Sequence, residues 1–322
     1  MFGLTFLSAT SKTTTHRVVP FRMGYLGGVA GYVAGGLDSG DISGIDRIAF
    51  PNETKTTLGA TLTTARRQGA GFADSGVAGY VAGGGNSTGA LNSINRLAFP
   101  AETVTNLGVT LSATVQHPAG FADIAVAGYC AGGDPAVATI DRIAFPADTK
   151  TTLATGLNTG RNSAAAFGNK GVAGYVAGGA SGSTLLSSIE RISFPSETRT
   201  VISATLTTAR QMFSGGGFAN NGVAGYVAGG YGGSGFINNI DKIALPAETR
   251  TQLSATLTSG VSFNAGFADF GVAGYSAGGD NSGGNLSGID RIAFPADTKT
   301  TLSATLTTAR TRLHGFANNN TL

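Results

Sequence analysis

The sequence predicts an all-β protein, a six-bladed β-propeller with four antiparallel strands in each blade. One unit recurs six times at intervals of 46 to 51 residues. Each unit contains four apolar segments of strand length, separated by Gly, Pro, Asn and Ser. A unit of this length suits a radial blade of four strands better than a solenoid turn of roughly 20–29 residues.

The repeat is carried by motifs that keep one register through the chain. The segment AGY-x-AGG places a tyrosine at Tyr32, Tyr80, Tyr129, Tyr175, Tyr226 and Tyr275. A phenylalanine among small residues follows the same spacing at Phe72, Phe121, Phe167, Phe218, Phe267 and Phe316. An Ile-Asp-Arg-Ile type segment and a Leu-x-x-x-Leu pair recur six times as well, so these copies derive from one structural unit.

The second unit illustrates the predicted strands, which lie at about 70–73, 77–83, 93–99 and 103–114. The short link Ser75-Gly76 predicts a hairpin turn between the first two. The Pro-x-Glu/Asp-Thr link after the third strand predicts a second turn. There proline sets φ, and we expect the carboxylate to cap the turn.

Composition excludes several other classes of protein. The 322 residues include 51 Gly and only 12% charged residues, but 41% are hydrophobic, which favours a packed core over disorder. Glycine has no three-residue period, which excludes collagen. The net charge of +3 does not indicate nucleic-acid binding, and no apolar run of membrane-spanning length predicts membrane insertion. The single cysteine excludes an intrachain disulfide.

The two ends of the repeat array predict how the ring closes. The first unit, 29–66, has no good match to the phenylalanine-bearing first strand, whereas 315–319 is a near copy of 217–221 and follows the sixth unit. We therefore expect the C-terminal segment to supply the innermost strand of the first blade, which removes the open sheet edges. Residues 23–322 form the propeller in this interpretation, and residues 1–22 are an N-terminal arm.

The units resemble kelch repeats over about residues 24–318. The resemblance is carried by the diglycine Gly35-Gly36, the acid-base pair Asp46-Arg47 and the arginine Arg66, with equivalents in most other units. Leucine or isoleucine, as at Leu58, stands where kelch repeats usually have tryptophan. Tryptophan-free, Gly/Ala/Thr-rich arrays of this kind are similar to those in tail or appendage proteins of bacteriophages, particularly those infecting cyanobacteria.

The links between strands predict two different faces. Antiparallel pairing puts the 1–2 and 3–4 turns on one face, which we call the uniform face because these turns are nearly identical in all units. The 2–3 loops and the 4–1 links lie on the other, which we call the variable face. The 2–3 loops differ in length and chemistry, at 37–44, 85–93, 134–139, 180–188, 231–239 and 280–288. Because recognition usually resides in loops on a rigid scaffold, we predict that the variable face is the surface that binds a ligand or partner.

Charged and aromatic residues on the variable face supply the candidate binding residues. Arg66, Arg161, Arg210 and Arg310 share one repeat position, which favours structural contacts with neighbouring loops. Basic residues outside that position are better candidates for a carboxylate or phosphate ligand: Arg67, His117, Arg312 and His314. Three aromatic outliers either stack on sugars or a partner protein, or pack locally: Phe213, Tyr231 and Phe236.

Other motifs favour a structural role over a catalytic or metal-binding one. Cys130 replaces a core valine and reads as a small buried residue, so we predict no catalytic residue. Asp38 with Asp41, or Asp280 with its asparagine neighbours, offers oxygen ligands for calcium, but such strings are more often turns; we predict no metal and no cofactor. The Asp46-Arg47 pair recurs in nearly every unit, which indicates inter-strand or inter-blade ion pairs.

These observations predict a non-enzymatic protein. The resemblance implies a structural or attachment protein of a virion, located in the tail or an appendage, or otherwise at an extracellular surface. Its expected partners are other virion proteins, with residues 1–22 as a docking segment, and a host surface glycan, within a homo- or hetero-oligomer. The alternatives are a carbohydrate-binding lectin and, from another class, a glycan-acting enzyme on the same scaffold.

Overall fold

The computed structural model of this chain describes residues 28–213 and 215–319. These residues form a ring of six blades, each a four-stranded antiparallel sheet, which confirms the six-bladed propeller. The predicted arm, 1–22, lies outside the described residues. Across the described ranges, no helix is long and apolar enough to cross a membrane.

Short strands build all six blades. In chain order they are β1 (Ala30–Ala34), β2 (Ile45–Ala49), β3 (Thr54–Thr57), β4 (Ala70–Asp74), β5 (Ala78–Ala82), β6 (Gly85–Asn86), β7 (Gly89–Ala90), β8 (Ser93–Ala98), β9 (Thr103–Thr110), β10 (Ala119–Asp123), β11 (Ala127–Ala131), β12 (Ile140–Ala144), β13 (Thr149–Thr152), β14 (Ala165–Asn169), β15 (Ala173–Ala177), β16 (Ala180–Ser181), β17 (Thr184–Leu185), β18 (Ser188–Ser193), β19 (Arg199–Thr205), β20 (Gly217–Asn220), β21 (Ala224–Ala228), β22 (Asn239–Ala244), β23 (Thr249–Thr256), β24 (Ala265–Asp269), β25 (Ala273–Asn281), β26 (Gly284–Ala293), β27 (Thr298–Thr301) and β28 (His314–Asn318).

From the innermost strand outward, blade 1 is β28-β1-β2-β3, blade 2 is β4-β5-β8-β9 and blade 3 is β10-β11-β12-β13. Blade 4 is β14-β15-β18-β19, blade 5 is β20-β21-β22-β23 and blade 6 is β24-β25-β26-β27. The 2–3 loops of blades 2 and 4 form small hairpins of their own, β6-β7 and β16-β17, where the sequence predicts only loops. The four main strands of blade 2 match the predicted segments to within a few residues.

The ring closes as predicted, by a strand from the C-terminus. β28 pairs antiparallel with β1, with Phe316 opposite Tyr32. The equivalent register recurs inside the chain, for example Phe167 opposite Tyr175 in blade 4. Blade 1 therefore contains both ends of the described chain, and it has the same four-stranded order as the blades made from one continuous segment.

Apolar layers between neighbouring blades form the core. In the layer between blades 2 and 3, Phe72 stacks on Tyr80 at 5.3 Å, and Tyr80 stacks on Phe145 of blade 3 at 5.2 Å between ring centroids. The Phe72 ring occupies space against Gly128, where an added Cβ would lie 2.1 Å from a ring carbon. The same phenylalanine-on-glycine contact joins blade 6 to blade 1, through Phe267 and Gly31. The second strand of each blade is covered on both faces and is buried along its AGY-x-A segment.

A polar latch links each blade to the next at the outer end of this layer. The tyrosine hydroxyl of Tyr80 donates a hydrogen bond to Asp148 of blade 3 at 2.7 Å, and Arg96 Nε lies 3.3 Å from the same carboxylate. The six latches are Tyr32–Glu102–Arg47, Tyr80–Asp148–Arg96, Tyr129–Glu197–Arg142, Tyr175–Glu248–Arg191, Tyr226–Asp297–Lys242 and Tyr275–Glu53–Arg291. Burial raises the pKa of each tyrosine, for Tyr175 to about 12, so the hydroxyl remains a donor.

These latches correct one expectation and confirm another. The acid of the Pro-x-Glu/Asp-Thr turn was expected to cap its own turn, but its carboxylate binds the tyrosine and arginine of the preceding blade. The Asp46-Arg47 type pair is inter-blade and inter-strand, as predicted. Arg47 reaches Glu102 of blade 2, while Asp46 accepts from Thr57 on β3 and from Thr307 beyond blade 6.

Candidate functional site

The 2–3 loops and 4–1 links share one face of the ring. Each link pairs through its backbone with a 2–3 loop: Arg67 with Gly85, Gln116 with Asp134, Asn162 with Ala180, Gln211 with Tyr231, Ser262 with Asp280 and Thr311 with Leu37. The predicted variable face is thus one continuous surface, in which the links lie on the axial side because they lead into the innermost strands.

The links meet at the axis in a closed ring of hydrogen bonds. Each link donates one backbone N–H to the carbonyl of a neighbouring link: Gln68 to Arg312 (3.0 Å), His117 to Gln68 (2.7 Å), Ser163 to His117 (3.0 Å), Met212 to Ser163 (2.6 Å), Phe263 to Met212 (2.9 Å) and Arg312 to Phe263 (2.9 Å). The backbone is left-handed here in every link, with φ between 55° and 62° at Gln68, His117, Ser163, Phe213, Phe263 and Arg312. This ring holds six side chains around the axis.

Four of the left-handed residues form what we call the axial cluster: His117, Phe213, Phe263 and Arg312. The rings of Phe213 and Phe263 stack at 4.4 Å, and the Arg312 guanidinium lies 5.1 Å from the Phe263 centroid. The His117 ring meets Phe213 edge-on at 5.8 Å, and its Nδ1 donates to the Phe213 carbonyl at 2.8 Å. All four side chains are half-buried, so each retains exposed surface. The structure therefore brings together three of the predicted candidates, with Phe263.

The axial cluster is cationic at Arg312 and neutral at His117. Burial is the main cause that lowers the pKa of His117, and the charges of Arg312 and Arg67 lower it further. Burial and the nearby Arg67 charge also lower the pKa of Arg312, which remains far above neutrality as arginine does in proteins. Gln68 Oε1 and Arg312 Nε are buried without a hydrogen-bond partner among the described residues. Such polar atoms suit a ligand that carries both donors and acceptors.

Arg67 lies next to the axial cluster and is already paired. Its guanidinium forms a salt bridge with Asp41, whose other carboxylate oxygen accepts from the Ser87 backbone at 2.7 Å. Asp41, one of the residues considered for calcium, thus joins the 2–3 loop of blade 1 to that of blade 2. The negative charge of this 2–3 loop and the positive charge of this 4–1 link are partly neutralised here by direct contact.

Tyr231 and Phe236 form a separate aromatic pair on the 2–3 loop of blade 5. Their rings meet edge-on at 5.7 Å, and the Tyr231 hydroxyl donates to the Gly233 carbonyl at 3.0 Å. Both side chains are half-buried. The Tyr231 backbone pairs with Gln211, two residues before Phe213, so this pair lies beside the axial cluster on the same face.

His314 lies inside the protein rather than on the variable face. It is 1% exposed; Nδ1 donates to the Ala34 carbonyl at 2.8 Å, and Nε2 accepts from the Gly69 backbone at 2.7 Å. Burial lowers its pKa to about 3, so the ring is neutral. Through these two hydrogen bonds His314 connects β28 to β1 and to the link before β4, so its role is structural.

Phe263 was not singled out by sequence reasoning, although a signal for it exists. It lies two residues after Val261, which occupies the repeat position of Arg66, Arg161, Arg210 and Arg310. Counting two residues beyond that position in the other units identifies Gln68, His117, Ser163, Met212 and Arg312. The residues of the closed ring of hydrogen bonds can therefore be located from the repeat register alone.

The remaining residues considered for catalysis or metal binding do not form a reactive site. Cys130 is buried on β11, and burial raises the pKa of its thiol, which disfavours the reactive thiolate. No group of three or more His, Cys, Asp or Glu side chains in the described ranges is placed to hold a metal ion. Comparisons with protein-family models and with curated proteins find no match to this chain.

Proposed function

We propose that this protein is a non-enzymatic attachment module that binds an acidic surface glycan through the axial cluster on its variable face. One observation carries the proposal. At the left-handed position of the six links stand Gln68, His117, Ser163, Phe213, Phe263 and Arg312, five residue types in six links, whereas the latch tyrosine is the same in all blades. Because these six positions share one backbone conformation, the backbone does not dictate which residue stands at each of them.

The chemistry of the axial cluster suits a carboxylated sugar. The stacked, half-buried phenyl rings of Phe213 and Phe263 retain apolar surface against which the C–H groups of a pyranose ring can pack. Arg312 beside them supplies a planar donor fork for a carboxylate. His117 adds a neutral polar group for a hydroxyl. The Tyr231–Phe236 pair extends the surface towards blade 5 for a second sugar.

An oligosaccharide array with neutral and carboxylated members tests this proposal. We expect binding to carboxylated members only. Removal of one charge-assisted hydrogen bond, by Arg312→Ala, should weaken it about ten- to hundredfold, and Phe263→Ala should weaken it similarly. The matched controls remove the same chemistry from the uniform face: Lys170→Ala and Phe270→Ala should leave binding unchanged.

Two outcomes contradict the proposal. Equal effects of the axial substitutions and of their uniform-face controls would place the ligand elsewhere. Release of new reducing ends from a bound polysaccharide would show an enzyme instead of a binding module.

The location of this module on a virion is a further part of the proposal. It is supported by the resemblance of the Gly/Ala/Thr-rich, tryptophan-free units to the kelch-like arrays of phage tail and appendage proteins. In that setting, residues 1–22 dock the propeller to other virion proteins, and several copies in one particle multiply weak glycan contacts into useful avidity.

Docking to another structural protein through the uniform face is a second candidate function. It is favoured by a ring of exposed valines at one turn position, 38–47% exposed at Val29, Val77, Val126, Val172 and Val223. A partner that contacts several of these valines together would bury the kind of apolar surface that marks a protein contact. The double variant Val126→Ser, Val172→Ser should fail to incorporate into virions made without the native protein, while Phe263→Ala incorporates normally. Equal incorporation of both would contradict this role.

A further inference from the structure

Four arginines of the 4–1 links fill equivalent spaces between blades. Arg161 is typical: its guanidinium donates to the carbonyls of Gly178 (2.9 Å) and Ser188 (3.3 Å) and pairs with Glu190. Arg66 makes the same carbonyl contacts in blade 2, while Arg210 and Arg310 pair with the third-strand acids of blades 5 and 1. These side chains are almost completely buried. The repeat therefore contains a site shaped for a guanidinium group.

The links that lead into blades 3 and 6 have valine at this position, Val115 and Val261. A cavity of about 120 Å³ lies at each valine. The first is lined by Val115, Cys130, Gly132, Thr139 and Asp141, among others, and the second by Val261, Ser276, Gly278, Gly288 and Asp290. The two cavities occupy equivalent places in blades that lie on opposite sides of the ring.

A second substitution accompanies the loss of each arginine. Strand two has valine at Val33, Val81, Val176 and Val227, but Cys130 in blade 3 and Ser276 in blade 6. The two blades without the arginine are thus the two in which a smaller side chain than valine lines the cavity. This joint change leaves the cavities open, with a mainly apolar lining and one carboxylate, whereas a larger apolar residue would have filled them.

The acceptors for a guanidinium remain in place. Asp46, which has its arginine, accepts from the backbone and hydroxyl of Thr307, from Thr57, and lies 3.3 Å from Arg310 and 3.8 Å from Lys55. Asp141 has the matching donors in Ser112, Thr152 and Lys150, without the arginine. In blade 3 the Gly132 N–H donates to the Thr139 carbonyl, as the Gly178 N–H donates to the Ser188 carbonyl in blade 4. The backbone around the first cavity therefore has the same arrangement as the backbone around Arg161.

We propose that these two cavities bind an alkylguanidinium cation, with its charged group on Asp141 or Asp290. A volume of about 120 Å³ equals roughly four water molecules at about 30 Å³ each, enough for a guanidinium with a short alkyl chain. The neighbouring lysine does not exclude it, since Lys55 and Arg310 share Asp46. The first cavity is bordered by the exposed residues Ser112, Thr114 and Pro135, which give the ligand a path from solvent.

Calorimetric titration of the full chain with n-propylguanidinium tests the proposal. We expect two ions per chain, one in Val115→Arg or Val261→Arg, and none in the double variant, because the new side chain occupies its cavity as Arg161 does. Both substitutions restore the residue found in the other four links, so the variants should fold. Val201→Arg adds the same charge at an exposed site on β19 and should still bind two ions.

Neutral n-propylurea, of nearly the same shape, should bind at least tenfold more weakly. Three results would each overturn the proposal. The double variant could still bind two ions, the native protein could fail to bind n-propylguanidinium at millimolar concentration, or n-propylurea could bind equally well. A blocked Gly-Arg-Gly peptide distinguishes the source of the ligand. Binding as tight as that of n-propylguanidinium indicates an arginine side chain of a partner protein, and much weaker binding indicates a free small molecule.

Discussion

Replacing Tyr275 with phenylalanine removes one hydroxyl at the junction between blades 6 and 1, a contact that forms only when the ring closes. This hydroxyl donates to Glu53 at 2.7 Å, and Arg291 Nε lies 2.6 Å from the same carboxylate oxygen. Tyr175, at the junction between blades 4 and 5, makes the matching bond to Glu248 at 2.8 Å, with Arg191 at 2.9 Å. Both tyrosines are 1% exposed.

The cost of the lost hydroxyl follows from the surroundings of the carboxylate. A hydrogen bond to a charged group contributes about 1.5–3 kcal/mol. Because Arg291 still neutralises Glu53, the carboxylate is not left as an unpaired charge, so the lower end of this range applies. We expect Tyr275→Phe and Tyr175→Phe each to reduce the free energy of unfolding by about 1.5 kcal/mol.

Equilibrium unfolding in urea, with the two variants and the native protein side by side, measures this cost. The reasoning requires equal losses at the two junctions. If Tyr175→Phe destabilised the protein and Tyr275→Phe did not, the closing junction would not be formed like the internal one, and the account of ring closure would be refuted.

Three more predictions concern the same architecture. Because burial lowers the pKa of His314 to about 3, the unfolded chain takes up a proton there below about pH 6.5 and the folded protein does not. The free energy of unfolding should therefore fall by about 2 kcal/mol from this residue between pH 7.5 and 5.0, and an equal acid sensitivity in His314→Gln would contradict it. Gly79→Ala places a Cβ 2.1 Å from the Phe316 ring and should cost about 1–3 kcal/mol, whereas Gly108→Ala, with open space around it, should be near neutral in thermal melts. Deleting residues 315–322 exposes β1 as an edge strand and should cause aggregation in sedimentation assays; an unchanged melting temperature would oppose that expectation.

The fold could be predicted because six copies of one unit make each position visible six times. The closing strand was identifiable since 315–319 repeats a fragment that every complete unit contains. The partner of the turn acid was not identifiable, because a repeated Glu53-type residue gives the same pattern whether it binds its own turn or the neighbouring blade. The choice depends on the radial packing that brings Tyr275 within reach of it.

The candidate site was predicted residue by residue but not as a group. His117, Phe213 and Arg312 lie far apart in the chain, and their contact arises only when the links meet at the axis. His314 resembles Arg312 in the sequence, as a basic residue outside the repeated arginine position. Two residues further along, however, the chain has entered β28, so the imidazole lies in the interior. Burial of this kind depends on where the link turns inward, which composition does not reveal.

Hydrogen–deuterium exchange of the native protein tests the closed ring most directly, because it needs no substitution. We expect the amides of β28 to be protected to the same degree as those of β14, the innermost strand of blade 4, since both pair with strand two of a blade and pack against two neighbouring inner strands. Exchange of β28 at the rate of a free chain end, with β14 protected, would contradict the closure on which the rest of the account depends.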